Sequence, residues 1–417
     1  MIKKYVLINF ILLLSVFQIV NAQELIEKEP PQYLRTIIFK GASDDQFPIV
    51  RLGEPFFLSF DDLKADESDY YYRIIHCNYD WSPSKLLKSE YLNGNDNQRI
   101  RNYNNSYNTL VQYSNYQLTI PNADLSLKVS GNYMIEIYDS YDDLMFSRRF
   151  MVFENLSKVS AQVKRNRDFE SMNTKQNIEF SIFTENLNTA NPKKEIQIAL
   201  MQNYDWNSTI RYLYPQYNKG NELVFRYSNE ASFNAGNEYL NFDTKDIRAA
   251  QGTIAKIELA DIYEHWLYGN RSRAQLPYTY FPDINGDFRI NTTQGTNPSI
   301  EADYTWVHFS LEPPINNEIK QIYLSGKFNN YNWSDETKMN FNKDINRYQA
   351  SLLLKQGFYN YKYIAVDKKN QRIDNLISGN FHVTENQYHI LVYYRRFGSI
   401  YDRLVGIGIA NSQQIEN

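Results

Sequence analysis

The tetrapeptide Asn-Tyr-Asp-Trp closes a strand-like run at 78–81 and again at 203–206, and 330–333 reads Asn-Tyr-Asn-Trp. Three of the five tryptophans (Trp81, Trp206 and Trp333) are spent on this pattern, at spacings of 125 and 127 residues. A recurrence at nearly fixed spacing is the mark of a repeated unit. This period is too long for a solenoid and close to the size of one ordinary domain. The spacing therefore predicts three successive domains of similar build.

Between the motifs the chain reads mainly as short strands. RTIIF (35–39), PFFLSF (55–60), YYYRIIHC (70–77), YQLTI (116–120), GNYMIEIY (131–138) and LMFSRRFMVF (144–153) form a first set. A second set runs from VSAQVKRN (159–166) through NIEFSIFT (177–184), EIQIALMQ before the second motif, ELVFRYS (222–228) and YLNFDT (239–244). The third contains TWVHFSL (305–311), IKQIYLSGKF (319–328), YQASLLL (348–354), YNYKYIAVD (359–367) and YHILVYY (388–394). Strands of this length with turn signals between them predict all-β, tandem immunoglobulin-like β-sandwich domains. Aromatics make up 15% of the residues, with 35 Tyr and 24 Phe, which suits pleated, half-buried surfaces. Segment 247–266 is ambiguous between helix and strand.

Residues 1–22 read as a secretory signal peptide: Lys3 and Lys4, an apolar run, then Val20-Asn21-Ala22 before a cut at Gln23. The predicted organisation is a leader at 1–22 and sandwiches at 33–155, 156–290 and 300–400, the last immunoglobulin-like, with a C-terminal tail at 401–417. The 281–303 stretch, rich in Gly, Asn, Asp and Thr, reads as a connector. No later run is apolar and long enough to span a bilayer, so no membrane span is expected after cleavage. A net charge of −4 supplies no basic field for nucleic acid. Cys77 is the one cysteine and reads as a small buried hydrophobe.

Two readings of the motif compete. In the first, Asn78, Tyr79, Asp80 and Trp81, Asn203, Tyr204, Asp205 and Trp206, and Asn330, Tyr331, Asn332 and Trp333 form corners whose tryptophan plugs the sandwich core. In the second they are exposed platforms for sugar rings or a partner chain. The first reading is favoured. The second has its best case in LSGKFNNYNW (324–333) followed by GFYNYKYIAVD (357–367). That stretch resembles glycogen-binding and early-set immunoglobulin-like modules, and the resemblance implies glycan binding through Trp333.

Residues for catalysis or cofactors do not assemble in the sequence. No two of the five histidines stand at i, i+4, and no nucleophile elbow, phosphate loop or dinucleotide fingerprint is present. Asp283-Ile284-Asn285-Gly286-Asp287 is calcium-loop-like but has Gln294 where the closing glutamate would stand. No enzyme activity, cofactor or metal is expected.

Several segments together resemble the family of type IX secretion system plug proteins of the Bacteroidota. They are LSFDDL (58–63), YYYRIIHCNYDW (70–81), EYLNG (90–94), NSYNT (105–109), YQLTIPN (116–122), SGNYMIEIYD (130–139) and RRFMVFE (148–154). AGNEYLNFDTKDIR (235–248), EADYTWVHFSL (301–311) and YYRRFGSIYDRLVG (393–406) extend the likeness over nearly the whole mature chain. The resemblance implies a periplasmic, non-enzymatic protein at the inner face of the outer membrane. Its partner would be the giant outer-membrane translocon barrel, whose periplasmic opening it closes when no cargo is present. No family motif marks the contact residues; the long segments 82–112 and 261–282 are the expected contacts. The alternative is a secreted glycan-binding accessory acting through the third domain.

Overall fold

The computed structural model describes residues 23–316 and 318–415. The expected leader lies outside these residues. The described chain is all-β, and its six larger sheets form three two-sheet sandwiches, with a small two-stranded sheet of Leu92–Gly94 and Leu125–Leu127 besides. The first combines the sheet holding Leu34–Lys40, Phe56–Asp62, Ser114–Ile120 and Asn102–Asn105 with the sheet holding Ile49–Arg51, Leu144–Phe153, Gly131–Tyr138, Tyr71–Cys77 and Gln98–Arg99. One apolar core fills the space between them, with Phe56, Phe60 and Tyr116 from one sheet and Tyr72, Tyr133 and Phe150 from the other.

The second sandwich is assembled from both ends of a long stretch of chain. Lys158–Arg165, Lys175–Phe183, Tyr217–Lys219, Glu222–Phe225 and Ser232–Asn234 make one sheet. In the other, Ile196–Gln202 pairs with Gln387–Tyr394, which in turn pairs with Arg403–Asn411. Everything between, from Leu240–Asp243 to Arg372–Ile373, belongs to the third sandwich. The third sandwich is thus inserted into the second.

This pairing corrects the boundaries expected at 290, 300 and 400. Residues 240–290 supply strands to the third sandwich, and 387–411 to the second. The "connector" at 281–303 contributes Phe288–Ile290, paired with Gly357–Asp367. The expected tail contains the nine-residue strand Arg403–Asn411. Its glycines allow close packing: a Cβ on Gly406 would lie 2.5 Å from the Ser157 carbonyl oxygen, and one on Gly408 would lie 2.4 Å from Val159 Cγ1. Side chains there would push the two strands apart. Segment 247–266 resolves into strands Ile254–Leu259 and Tyr263–Leu267.

Gly131–Tyr138 and Gln387–Tyr394 are among the strands buried on both faces, which explains their near-continuous apolar sequence. In Gly131–Tyr138, Tyr133, Ile135 and Ile137 face the first core, while Met134 faces away. In Gln387–Tyr394, Tyr388, Ile390 and Val392 face the second core, while Leu391 and Tyr393 face away. The two outward faces meet. Met134, Met151, Cys77, Trp81, Met201, Leu391 and Tyr393 form a fourth apolar cluster, which joins the first two sandwiches.

Candidate functional site

Backbone geometry separates the three motif copies. In the second, Asn203 and Tyr204 take positive φ of 49° and 57°; in the third, Asn330 and Tyr331 take 53° and 58°. Asn tolerates this left-handed conformation better than most residues. In the first copy the left-handed residue is Trp81, at φ 65°. Asp80 Oδ1 accepts from the Ser82 backbone N–H and hydroxyl, as Asp205 Oδ1 accepts from Asn207 N–H.

The copies converge where the sandwiches meet. The Trp81 and Trp206 rings pack edge to face at 5.0 Å, with the Arg149 guanidinium 4.6 Å from the Trp81 ring centroid. Tyr204 stacks on Phe47 at 4.0 Å and lies 4.3 Å from the His389 ring. Buried Tyr331 donates its hydroxyl to the Asn203 carbonyl at 3.3 Å. Arg372 donates to the Tyr331 carbonyl at 3.0 Å and approaches Asp205 at 3.5 Å. Trp81 thus fills a joint between sandwiches rather than the core of its own, while Trp333 stays 42% exposed.

The first and third sandwiches meet through polar contacts. Lys355 Nζ reaches Asp61 at 2.7 Å, both side chains being essentially inaccessible. Asp61 also accepts from the Tyr304 hydroxyl and from Asn115 Nδ2, each at 2.7 Å. Burial holds the Lys355 pKa below that of a free lysine despite this partner. Nearby, the Asp303 carboxylate accepts the backbone N–H groups of Leu110 and Val111 at 2.6 and 3.1 Å. Tyr107 N–H bonds the Ile300 carbonyl. The backbone at the end of segment 82–112 is therefore docked on the third sandwich, while Tyr107 and Leu110 keep their side chains exposed. In 261–282, Tyr268, Tyr280 and Phe281 are exposed.

Residues 24–30 cross all three sandwiches. Leu25 N–H bonds the Trp81 carbonyl at 3.0 Å. Glu24 pairs with Arg149 and lies 3.8 Å from Arg211. Glu27 accepts from Arg149 N–H and Asn330 Nδ2, both at 2.6 Å, and Glu29 from Arg148 and Asn332 at 3.1 and 2.7 Å. Beneath this strap lies a cavity of about 350 Å³, between the first and third sandwiches and beside Trp206.

Titratable groups are tuned mainly by burial. Asp283 is pushed up to about 7 and Asp287 to about 6. Their oxygens are occupied by backbone donors: Tyr239 and Asn285 for the first, Gln46 and Phe288 for the second. Burial takes His76 and His265 down to about 4, His389 to about 3, and the Cys77 thiol up to about 12. Among the described residues no group of three or more His, Cys, Asp or Glu is placed to hold a metal, and no helix is long and apolar enough to cross a membrane. Sequence reading did not single out Arg149, which bridges two motif tryptophans, or the exposed Tyr212, Tyr214 and Tyr217. Arg149 sits in the ten-residue strand Leu144–Phe153 and Tyr212 and Tyr214 in a loop, and none of them belongs to the repeated motif.

These features define a class: an all-β protein of fused sandwiches whose recurrent motif serves as the joint. The family model for the first domain of type 9 secretion system plug proteins matches residues 34–154, the first sandwich. The crystal structure of a hypothetical protein from Parabacteroides merdae is similar over 93% of this chain and 100% of its own, at 32% identity and a TM-score of 0.89. The chain belongs to the type IX secretion system plug protein family. No curated protein matches.

Proposed function

We propose that this plug-family protein acts without catalysis, in the periplasm against the inner face of the outer membrane. It closes the periplasmic opening of the giant translocon barrel when no cargo occupies it. A channel wide enough for folded cargo would leak solutes, so its cover must be bulky and resist deformation. The observation that carries the reading is the fused joint: an apolar cluster, a buried Lys355–Asp61 pair and a strap across all three sandwiches make one block of the chain. Exposed aromatics on 82–112 and 261–282 are the proposed contacts, since Tyr and other aromatics are favoured anchors at interfaces.

The test is a pull-down of the tagged mature protein from gently solubilised outer membranes of its own host. One giant barrel protein should co-elute and be lost when cargo fills the barrel. Elution of the protein alone would reject the reading. Replacing Tyr107, Tyr280 and Phe281 together by Ser should weaken capture without changing the melting temperature. Unchanged capture would move the contact elsewhere. A second reading, glycan binding, rests on Trp333, whose ring is exposed at the cavity rim with Arg372 5.8 Å from its centroid. A polysaccharide array with wild type and Trp333→Ala decides it.

A further inference from the structure

The cavity under the strap contains a charge without a partner. Lys327 opens the short turn that carries the third motif copy, anchored by its N–H to the Gly286 carbonyl at 2.8 Å. Its side chain lies on the cavity wall. Among the described residues its ammonium has no hydrogen bond and no ion pair; the Tyr331 ring centroid is 6.0 Å away.

The carboxylates that act on Lys327 from a distance are already engaged. Glu27 holds Arg149 N–H and Asn330, Asp287 holds Gln46 and Phe288 N–H, and Asp205 caps its own turn and meets Arg372. Arg148, the other cation facing it, is paired with Glu29. Lys327 is half-buried, it lines the cavity, and desolvation lowers its pKa. An ammonium partly withdrawn from water gains from an oxygen acceptor that replaces the lost hydration. The rest of the wall is mixed: Phe39, Phe288, Phe328, Leu352 and Tyr359 form an apolar part, and Glu27, Glu29, Asp335 and Glu336 line it together with Arg35, Arg148 and Arg149.

We infer that this cavity is a binding site for an amphipathic carboxylate, its head on Lys327 and its apolar body against Phe39, Phe288, Phe328, Leu352 and Tyr359. The volume of about 350 Å³ lies at the lower end of the range for small-molecule sites. A free medium-chain fatty acid and an aliphatic residue at a peptide's C-terminus present the same chemistry. Because the first and third sandwiches and the strap all wall the site, occupancy stabilises their junction through linkage. This inference does not depend on barrel closure.

Thermal unfolding of the whole mature protein is measured with octanoate, with 1-octanol, and with a short peptide ending in Leu as free acid or as amide. Octanoate should raise the melting temperature by at least about 2 °C, and 1-octanol should not. Lys327→Met should lose the response and Lys327→Arg keep it. A response to the free-acid peptide but not to octanoate assigns the site to a chain terminus; the reverse assigns it to a fatty acid. No response to either carboxylate, or an equal response in Lys327→Met, overturns the inference. Should Lys327→Met fail to fold, titration of wild type with carboxyl-labelled octanoate by NMR decides: saturation at one equivalent supports the site, and no saturable shift rejects it.

Discussion

The first sandwich is fastened to one neighbour mainly by apolar packing and to the other mainly by hydrogen bonds. Against the second it presents Trp81, Met134 and Met151 to Met201, Leu391 and Tyr393, an apolar patch continuous with the cores on both sides and edged by polar bonds such as Tyr393 to Asn132 at 2.8 Å and Arg403 to Glu154 at 3.1 Å. Against the third it presents Asp61 and the 106–113 loop to Lys355, Tyr304 and Asp303, a contact of directed hydrogen bonds. An apolar joint tolerates sliding but resists separation, because its strength follows area. A polar joint fixes one orientation, and its strength depends on every partner being present. The first pairing behaves as a continuation of the core, and the second as a latch.

The comparison breaks most visibly at Trp81. Trp81→Ala removes the largest fully buried side chain and should cost about 3–5 kcal/mol in chemical denaturation. A loss under about 1 kcal/mol would mean the apolar cluster does not fasten the two sandwiches. At the latch, Lys355→Met strands Asp61, although Tyr304 and Asn115 still donate to it, and should cost about 3 kcal/mol. The double change Lys355→Met with Asp61→Leu should regain only part of that stability, since no unpaired charge remains but Tyr304 and Asn115 lose an acceptor. A double change as damaging as the single one would show that the pair holds the joint by more than its charge balance.

A pH-dependent effect arises where the second and third sandwiches are linked. Asp283 lies with Glu238 and Glu385, the latter two on the crossing segments, and Tyr278 donates to Glu238. Its folded pKa, about 7, stands above the usual aspartate value, so the native state holds the proton more tightly than the unfolded chain. Its contribution is present in full below about pH 4 and lost as pH rises toward 7, by at most about 1.4 kcal/mol per pH unit. Asp283→Asn should flatten that part of the wild-type stability profile in urea melts at stepped pH. Parallel wild-type and variant profiles would remove Asp283 as the cause.

Strands were legible because alternation is local: nearly every run read as a strand is one. Partners were not. YHILVYY announces a strand but not whether it pairs with 196–202 or with its nearer neighbours. Arg403–Asn411 does not read as a strand because Gly406 and Gly408 interrupt the apolar pattern, for reasons residing in Ser157 and Val159 far upstream. The motif was legible as a repeat, yet nothing local says that Trp81 and Trp206 would touch each other. Lys355 and Asp61, 294 positions apart, carry no local signal at all. Lys327 looks like any surface lysine until the strap closes over it.

The insertion of one sandwich into another sets the order in which the molecule can be completed. A chain is made from its N-terminus, so the first sandwich can close early and the third can close once residue 373 has emerged. The second must wait. Until 387–411 arrive, Ile196–Gln202 lacks its central neighbour, leaving an unpaired edge and an apolar face open to other chains. The final two strands therefore act as a closing stitch on a piece begun much earlier. A nascent chain stopped just short of them would carry two finished lobes and one sticky half, which chaperones and proteases are suited to recognise.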